Sequence, residues 1–392
     1  MPRRLISLAR MFVPTTSDSP RVPAHLDAST TPRIMRVDFA IALCLFAIAR
    51  ATRAAPIDLD FTAPIPVDAS IRVLAGEGYE SSPKVKRPLV VYLHGFCLDD
   101  DAQQAMELSS TRALPAVRNR AGFPRRRAQT LVQTGLREAV LEKDWLYAAV
   151  AAPHTTTECV LCHLQERSPN SQDRLFNGWI TGILERDSPQ FQCRAWDATD
   201  AVANPERGGS GDDVRFVAQV VAQVKRKFAV DDARVFVVGV GTGGFMASRL
   251  ACERPDLFRG VVSVAGGTHA DSRKCRPSGA AASVLFAHGT DDHTVPIAGG
   301  ENSRGVAFPS AKRSFEIMGA AMGCDGVVVS SDASRLPAEG GAPEIVVERN
   351  KYGACRDGVD VEQWLLNGVD HFFERATSEE LFSDIVDWMY AR

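Results

Sequence analysis

The chain has no apolar run of bilayer length, no excess of positive charge and no internal repeat. Its longest uninterrupted apolar stretch, Phe39 to Ala49, is well short of the roughly 20 residues that a membrane-spanning helix needs, so no stable membrane span is expected. Lys and Arg number 45 against 48 Asp and Glu, a formal net charge of −3. With that balance, and with no basic stripe carrying interleaved aromatics, nucleic acid is not an expected partner. The short run Arg125-Arg126-Arg127 reads as a solvated loop. The absence of a repeat excludes a stacked-repeat architecture.

What is present begins with core material. At 392 residues and 45% hydrophobic content the chain can bury a large interior; length alone allows two or three domains, but α/β folds of this size often form one unit. Residues 1–34 are rich in Arg, Pro, Ser and Thr and show no periodicity. Met35-Arg36-Val37-Asp38, the apolar run and the small residues at Ala51, Thr52, Ala54 and Ala55 have the layout of a secretory signal. Met35 is thereby a second candidate start beside Met1. The expected organisation is a leader with signal peptide over 1–54 and one domain over 55–392, with an irregular insert at about 153–210. Without residues 1–54 the balance is 37 basic against 45 acidic, and eight cysteines remain. An even number in an exported chain suits disulfides. Eight cysteines allow 105 pairings, so the sequence leaves the connectivity open; the local pairs Cys252 with Cys275 and Cys324 with Cys355 are the expectation.

Periodicity places the elements. Ile57 to Leu74 alternates and reads as one or two strands. Leu89–Leu93, Trp145–Ala152, Arg234–Val240, Val261–Ala265 and Val284–Gly289 are continuous apolar runs, as expected of strands buried on both faces. Helical spacing covers Ala128–Glu142, a helix opened by Asp212, another from Gly243 to about Cys252, then Ser310–Met322 and Ser378–Tyr390. A further helix opens at Asp99-Asp100-Asp101, and Ile345–Arg349 and Val361–Leu366 are short strands. Strands alternating with helices imply a doubly wound, mostly parallel sheet with helices on both faces. Ligands of such sheets sit at the carboxyl ends of the strands.

Four strand ends carry polar or glycine-rich groups: His94-Gly95-Phe96-Cys97, Gly239-Val240-Gly241-Thr242-Gly243-Gly244, His288-Gly289-Thr290-Asp291-Asp292-His293 and Asn367-Gly368-Val369-Asp370-His371. Oxyanion loop, nucleophile elbow, acid and histidine occur in this order in an α/β-hydrolase, whose elbow reads G-x-S-x-G. Here Gly241 occupies the serine position.

With Leu93-His94-Gly95, Ala195-Trp196-Asp197-Ala198-Thr199-Asp200, Asp212-Asp213-Val214, the elbow, Ala251–Phe258, Val262–Gly266 and His288–Pro296, the chain resembles the secreted esterases related to polyhydroxybutyrate depolymerases and feruloyl esterases. The resemblance covers roughly residues 85–385. It implies an α/β-hydrolase fold, a small-molecule or polymeric ester as ligand, and no cofactor or metal. It makes Asp292 the acid, with Asp291 as fallback, and His371 the base. The N–H of Thr242 and that of Phe96 or Cys97 become the oxyanion donors. Gly241 marks the lost nucleophile, and glycine also relieves the strain of an elbow backbone. His288 is expected to be structural.

Two other readings compete. Thr242 or Cys97 could serve as nucleophile, although Thr242 lies one residue along and leaves the elbow in another direction. Cys159-Val160-Leu161-Cys162-His163 matches the C-x-x-C-H pattern of haem attachment, and His154 with Cys159, Cys162 and His163 has compact zinc spacing. Neither sits in a supporting module.

Overall fold

Continuous valine and leucine runs make the centre of one sheet. The computed structural model describes residues 57–59, 71–95, 135–153, 155–156, 193–203, 212–277 and 279–392, all within the unit Ala55–Arg392. The expected leader and signal segment, the helix opening at Asp99 and most of the insert at 153–210 lie outside the described residues. The order is β1 (Ile57–Leu59), β2 (Ile71–Ala75), β3 (Arg87–Leu93), α1 (Leu136–Glu142), β4 (Leu146–Val150), β5 (Thr155–Thr156), β6 (Cys193–Arg194) and α2 (Asp212–Lys227). Then come β7 (Val230–Val240), α3 (Thr242–Glu253), β8 (Gly260–Val264), β9 (Ser283–Gly289), β10 (Gly300–Glu301), β11 (Ala307–Phe308), α4 (Ala311–Ala321), β12 (Val328–Leu336), β13 (Ile345–Tyr352), β14 (Val361–Leu366) and α5 (Arg375–Tyr390).

The main sheet runs β1-β2-β4-β3-β7-β8-β9-β14-β13-β12. Its middle, from β4 to β14, is parallel, and its margins are antiparallel. Side chains on a strand alternate between faces, and β3 shows the result. Leu89, Val91 and Leu93 join Val217, Val221 and Val224 of α2, Phe245 and Met246 of α3, and Phe315 and Met318 of α4 in one core. Val90 and Tyr92 face the other core, with Leu136 and Val140 of α1 and Leu381, Phe382 and Ile385 of α5. Helices thus cover both faces of the parallel strands, which is the doubly wound α/β-hydrolase architecture.

Both local disulfides form: Cys252–Cys275 ties the end of α3 to the segment before β9, and Cys324–Cys355 ties the turn after α4 to the loop after β13. Helix α4 begins where its cap dictates, with Ser310 Oγ accepting from the Arg313 N–H at 3.0 Å. At the end of the chain, Arg392 donates from Nη2 to Asp360 Oδ2 at 2.7 Å and Glu362 Oε1 at 2.6 Å, and stacks 3.8 Å above Trp388. Arg392→Ala removes a largely buried partner from two carboxylates, and should lower stability by about 1–3 kcal/mol in urea unfolding.

Five strands were not expected: the two-residue β5, β6, β10 and β11, and the longer β12. The stretch 298–345 has no readable strand pattern beyond its last residues, yet Val328–Leu336 forms β12. It is the margin of the sheet and, among the described residues, pairs with β13 alone, with a register shift between Ser331 and Ser334. Val328 and Val329 are 45% and 55% exposed. An edge strand that buries little has no need of clean alternation, and a bulge breaks the period that does exist.

Candidate active site

The sharpest turn in the fold joins β7 to α3. Gly241 is the N-cap of α3 and sits at φ 53°, ψ −118°. Its N–H donates to Val264 O at 2.9 Å and its carbonyl accepts from the Phe245 N–H at 3.2 Å, which pins the turn between β8 and the first turn of the helix. Its neighbours are glycine for lack of room. A Cβ at Gly239 would stand 2.0 Å from Gly243 O, one at Gly243 2.2 Å from Leu93 O, and one at Gly244 2.9 Å from Val264 O. Gly241 differs. A Cβ there would meet nothing closer than His371 Nε2 at 3.4 Å, with Gly95 Cα at 3.9 Å. At 241 the backbone angle favours glycine, but space does not require it.

The direction of that Cβ leads to an Asp–His pair. Asp292, in the turn after β9, is 4% exposed. Its Oδ1 accepts from the N–H groups of Thr294 and Val295 at 2.9 and 2.6 Å, and its Oδ2 is 2.8 Å from His371 Nδ1. Burial pushes this carboxyl upward, but the charge of His371 and the hydrogen bonds from His288 and His371 outweigh it and hold the group well below the usual carboxylate range. An ionised Asp292 fixes the proton of His371 on Nδ1 and turns Nε2 toward the elbow. The structure therefore joins Asp292, and not the exposed Asp291, to His371.

Two contacts go beyond the sequence reading. His288 is buried as expected, but it is more than packing: its Nε2 lies 2.8 Å from Val295 O and 3.2 Å from Asp292 Oδ2, so it also holds the carboxylate. Asp370 and His293 form a second pair crossed with the first. Asp370 Oδ1 accepts from the N–H groups of His293 and His371 at 3.0 and 2.7 Å, while Oδ2 is 3.1 Å from His293 Nδ1. Each loop thus supplies one acid and one histidine to the other. The adjacency of Asp292-His293 and of Asp370-His371 is the signal that could have suggested it.

At the end of β3, His94 is fully buried. Its Nε2 accepts from the Ala152 N–H at 2.8 Å, its Nδ1 bonds Gly95 O, and its own carbonyl accepts from Trp196 Nε1 at 3.0 Å. Burial, the largest influence, lowers its pKa from 6.5 to about 4 despite the bond to Gly95 O. A neutral imidazole so anchored fixes the start of the loop that approaches Gly241. Between pH 6.5 and about 4 the folded protein binds fewer protons at His94 than the unfolded chain does. Its contribution is complete above 6.5 and is lost as pH falls toward 4, about 3 kcal/mol in all. Urea unfolding at pH 7 and pH 4.5 should show a weaker acid destabilisation in His94→Gln than in wild type.

Thr242 follows Gly241 as the first residue of α3 and is 2% exposed; its Oγ1 has no hydrogen-bond partner among the described residues. It makes no hydrogen bond to His371. Phe96, Cys97, His154, Cys159, Cys162 and His163 lie outside the described residues. Chemically, the described groups amount to a buried carboxylate, a histidine it orients, and a helix N-terminus whose N-cap position lies beside that histidine. That set can move a proton at an oxygen placed beside Nε2 and can bind an oxyanion on backbone N–H groups.

No family model matches the chain. Over 141 residues it is 28% identical to poly(3-hydroxyalkanoate) depolymerase C of Paucimonas lemoignei, covering 36% of this chain and 27% of that one. Over 91 residues it is 34% identical to feruloyl esterase C of Emericella nidulans, covering 23% and 33%. The matched part spans between a quarter and a third of those relatives. Among solved structures, the acetyl xylan esterase from Aspergillus awamori aligns with 86% of this chain and 100% of its own, at 11% identity and a TM-score of 0.47.

Proposed function

We propose, on the premise that this chain is kin to the esterases that include the polyhydroxyalkanoate depolymerases and feruloyl esterases, that it is a carboxylic-ester-hydrolase homologue whose hydrolytic power is impaired or lost. Gly241 is the position of its nucleophile, His371 its general base and Asp292 the acid that orients that base. The Thr242 N–H, with that of Phe96 or Cys97, forms the oxyanion hole. The protein binds an ester or a polymer fragment in the cleft and is secreted as a single domain after removal of residues 1–54. The two disulfides among the described residues suit an oxidising compartment.

One observation carries the reading. The backbone at 241 holds the turn of a nucleophile elbow, and a side chain there would point at His371 Nε2 from 3.4 Å. In a serine hydrolase the hydroxyl oxygen adds to the ester carbonyl while the histidine takes its proton, then returns it to the departing alcohol. Glycine supplies no oxygen, so the first bond cannot form. Removal of the serine costs on the order of 10⁶ in kcat, while oxyanion donors and binding retain ~10³–10⁴ over water. The test is turnover of p-nitrophenyl esters by wild type and Gly241→Ser. Saturable turnover by pure wild type that His371→Ala abolishes would overturn the reading.

A further inference from the structure

We infer that Asn367 is a site of spontaneous covalent modification: its side-chain amide is converted to aspartate and isoaspartate by ring closure on the nitrogen of Gly368, the hydroxyl of Thr290 holds that reaction back, and the conversion loosens the turn that leads to His371. The inference stands apart from the hydrolase reading, since it asks nothing of the elbow or of any ligand.

The setting is a turn that the sequence builds from Asn367 and Gly368. It follows β14, with the Val369 N–H donating to Leu366 O at 3.4 Å and Gly368 at φ 73°, an angle that glycine takes without strain. Both residues are exposed. The main chain of Asn367 is held, its N–H donating to Val346 O at 3.0 Å. Its side-chain amide has no partner among the described residues. Water therefore reaches an untethered amide, and the nitrogen that follows it is shielded by no Cβ on its own residue.

One hydrogen bond opposes the reaction. The Gly368 N–H donates to Thr290 Oγ1 at 2.8 Å, and that hydroxyl donates in turn to Asp291 Oδ1 at 3.2 Å. The exposed carboxylate of Asp291 thus turns the lone pairs of the hydroxyl toward Gly368. On either side the loop after β9 straps the same turn. The Thr290 N–H donates to Leu366 O and the Asp291 N–H to Val369 O, each at 3.0 Å. The nitrogen of Gly368 must lose its proton and swing toward Cγ of Asn367 before it can attack, so its bond to Thr290 has to break first.

The chemistry needs only water. As solvent hydroxide takes up the Gly368 N–H proton, the N–Cγ bond forms, the Cγ–Nδ2 bond breaks, and the amide leaves as ammonia after gaining a proton from water. The product is a cyclic imide. Water then opens it on one side or the other. Breaking the N–Cγ bond restores the main chain with aspartate at 367. Breaking the bond to the main-chain carbonyl leaves isoaspartate, with one methylene added to the main chain. Either way a negative charge appears beside Asp291. The added methylene also displaces Gly368 from Thr290, in the segment that runs on to Asp370 and His371. Asp370 there accepts from the N–H groups of His293 and His371, so displacement of the turn reaches the bonds that hold the two loops together.

The test is peptide mapping by mass spectrometry of the folded protein, sampled over weeks at mildly alkaline pH. Wild type should accumulate aspartate and isoaspartate at 367. Thr290→Val keeps the shape of the side chain and removes the hydroxyl, and should raise the rate at Asn367 by about three- to tenfold, the worth of one neutral hydrogen bond. Thr290→Ser keeps the hydroxyl and should react at the wild-type rate. Thr290→Ala makes the same deletion as the valine and covers the case in which that variant fails to fold. The isoaspartate fraction of wild type, separated by ion exchange, should unfold at lower urea concentration than the unmodified protein. An intact Asn367 in wild type would overturn the inference. So would equal rates in wild type and the variants without the hydroxyl, a serine variant as fast as those, or identical urea midpoints for modified and unmodified protein.

Discussion

Gly241→Ser should turn this protein into a working esterase, raising p-nitrophenyl ester turnover by about 10³-fold or more over wild type. The full factor of ~10⁶ that a serine contributes in an intact enzyme is an upper bound for the variant. The gain is expected because nothing else at the elbow needs to move. A Cβ at 241 meets its nearest neighbour at 3.4 Å, an ordinary contact, and that neighbour is the nitrogen that would take the proton. The cost is in the backbone. A non-glycine residue at φ 53°, ψ −118° is strained by about 1–3 kcal/mol, so the variant should also unfold at lower urea concentration. Activity gained together with stability lost is the signature of a nucleophile restored to a strained turn.

The second large effect concerns the pair behind that serine. In the Gly241→Ser background, His371→Ala should return turnover to the wild-type level, and Asp292→Asn should remove on the order of 10³–10⁴ of it. The asparagine keeps the shape of Asp292 but can no longer hold the Nδ1 proton of His371 as an ionised acceptor, so Nε2 is no longer fixed as the base. Asp291→Asn, one residue earlier but exposed and bonded to Thr290, should change the rate less than about twofold. The contrast between adjacent aspartates, read as kcat/KM of the three variants, separates a role in orienting His371 from a general effect of charge at the strand end.

How far this site could be read from sequence depended on how strongly burial constrains each part. The central strands announce themselves because both faces are covered: Leu89–Leu93 and Val235–Val240 leave no polar position to mislead. The elbow is legible because three of its glycines are demanded by backbone approaches of 2.0–2.9 Å, and such crowding leaves a fixed pattern. The disulfides Cys252–Cys275 and Cys324–Cys355 join cysteines 23 and 31 residues apart, local pairs that the sequence suggests without excluding others. What sequence did not reveal depends on contacts between distant loops. Nothing in the spacing says that His288 shares Asp292 with His371, or that Asp370 reaches back to His293, since those pairs are 77 to 79 residues apart except for the first. Strand β12 escaped because an exposed margin imposes no pattern.

The central claim is that position 241 is the place of the nucleophile and that no other residue has taken over. Mass spectrometry of wild type and Gly241→Ser after treatment with a reactive fluorophosphonate tests it most directly. The account predicts one adduct in the variant, on residue 241, formed at a rate that His371→Ala suppresses, and no stoichiometric adduct in the wild type. A stoichiometric adduct in the wild type at Thr242 or any other residue, formed in step with loss of ester turnover, would contradict it.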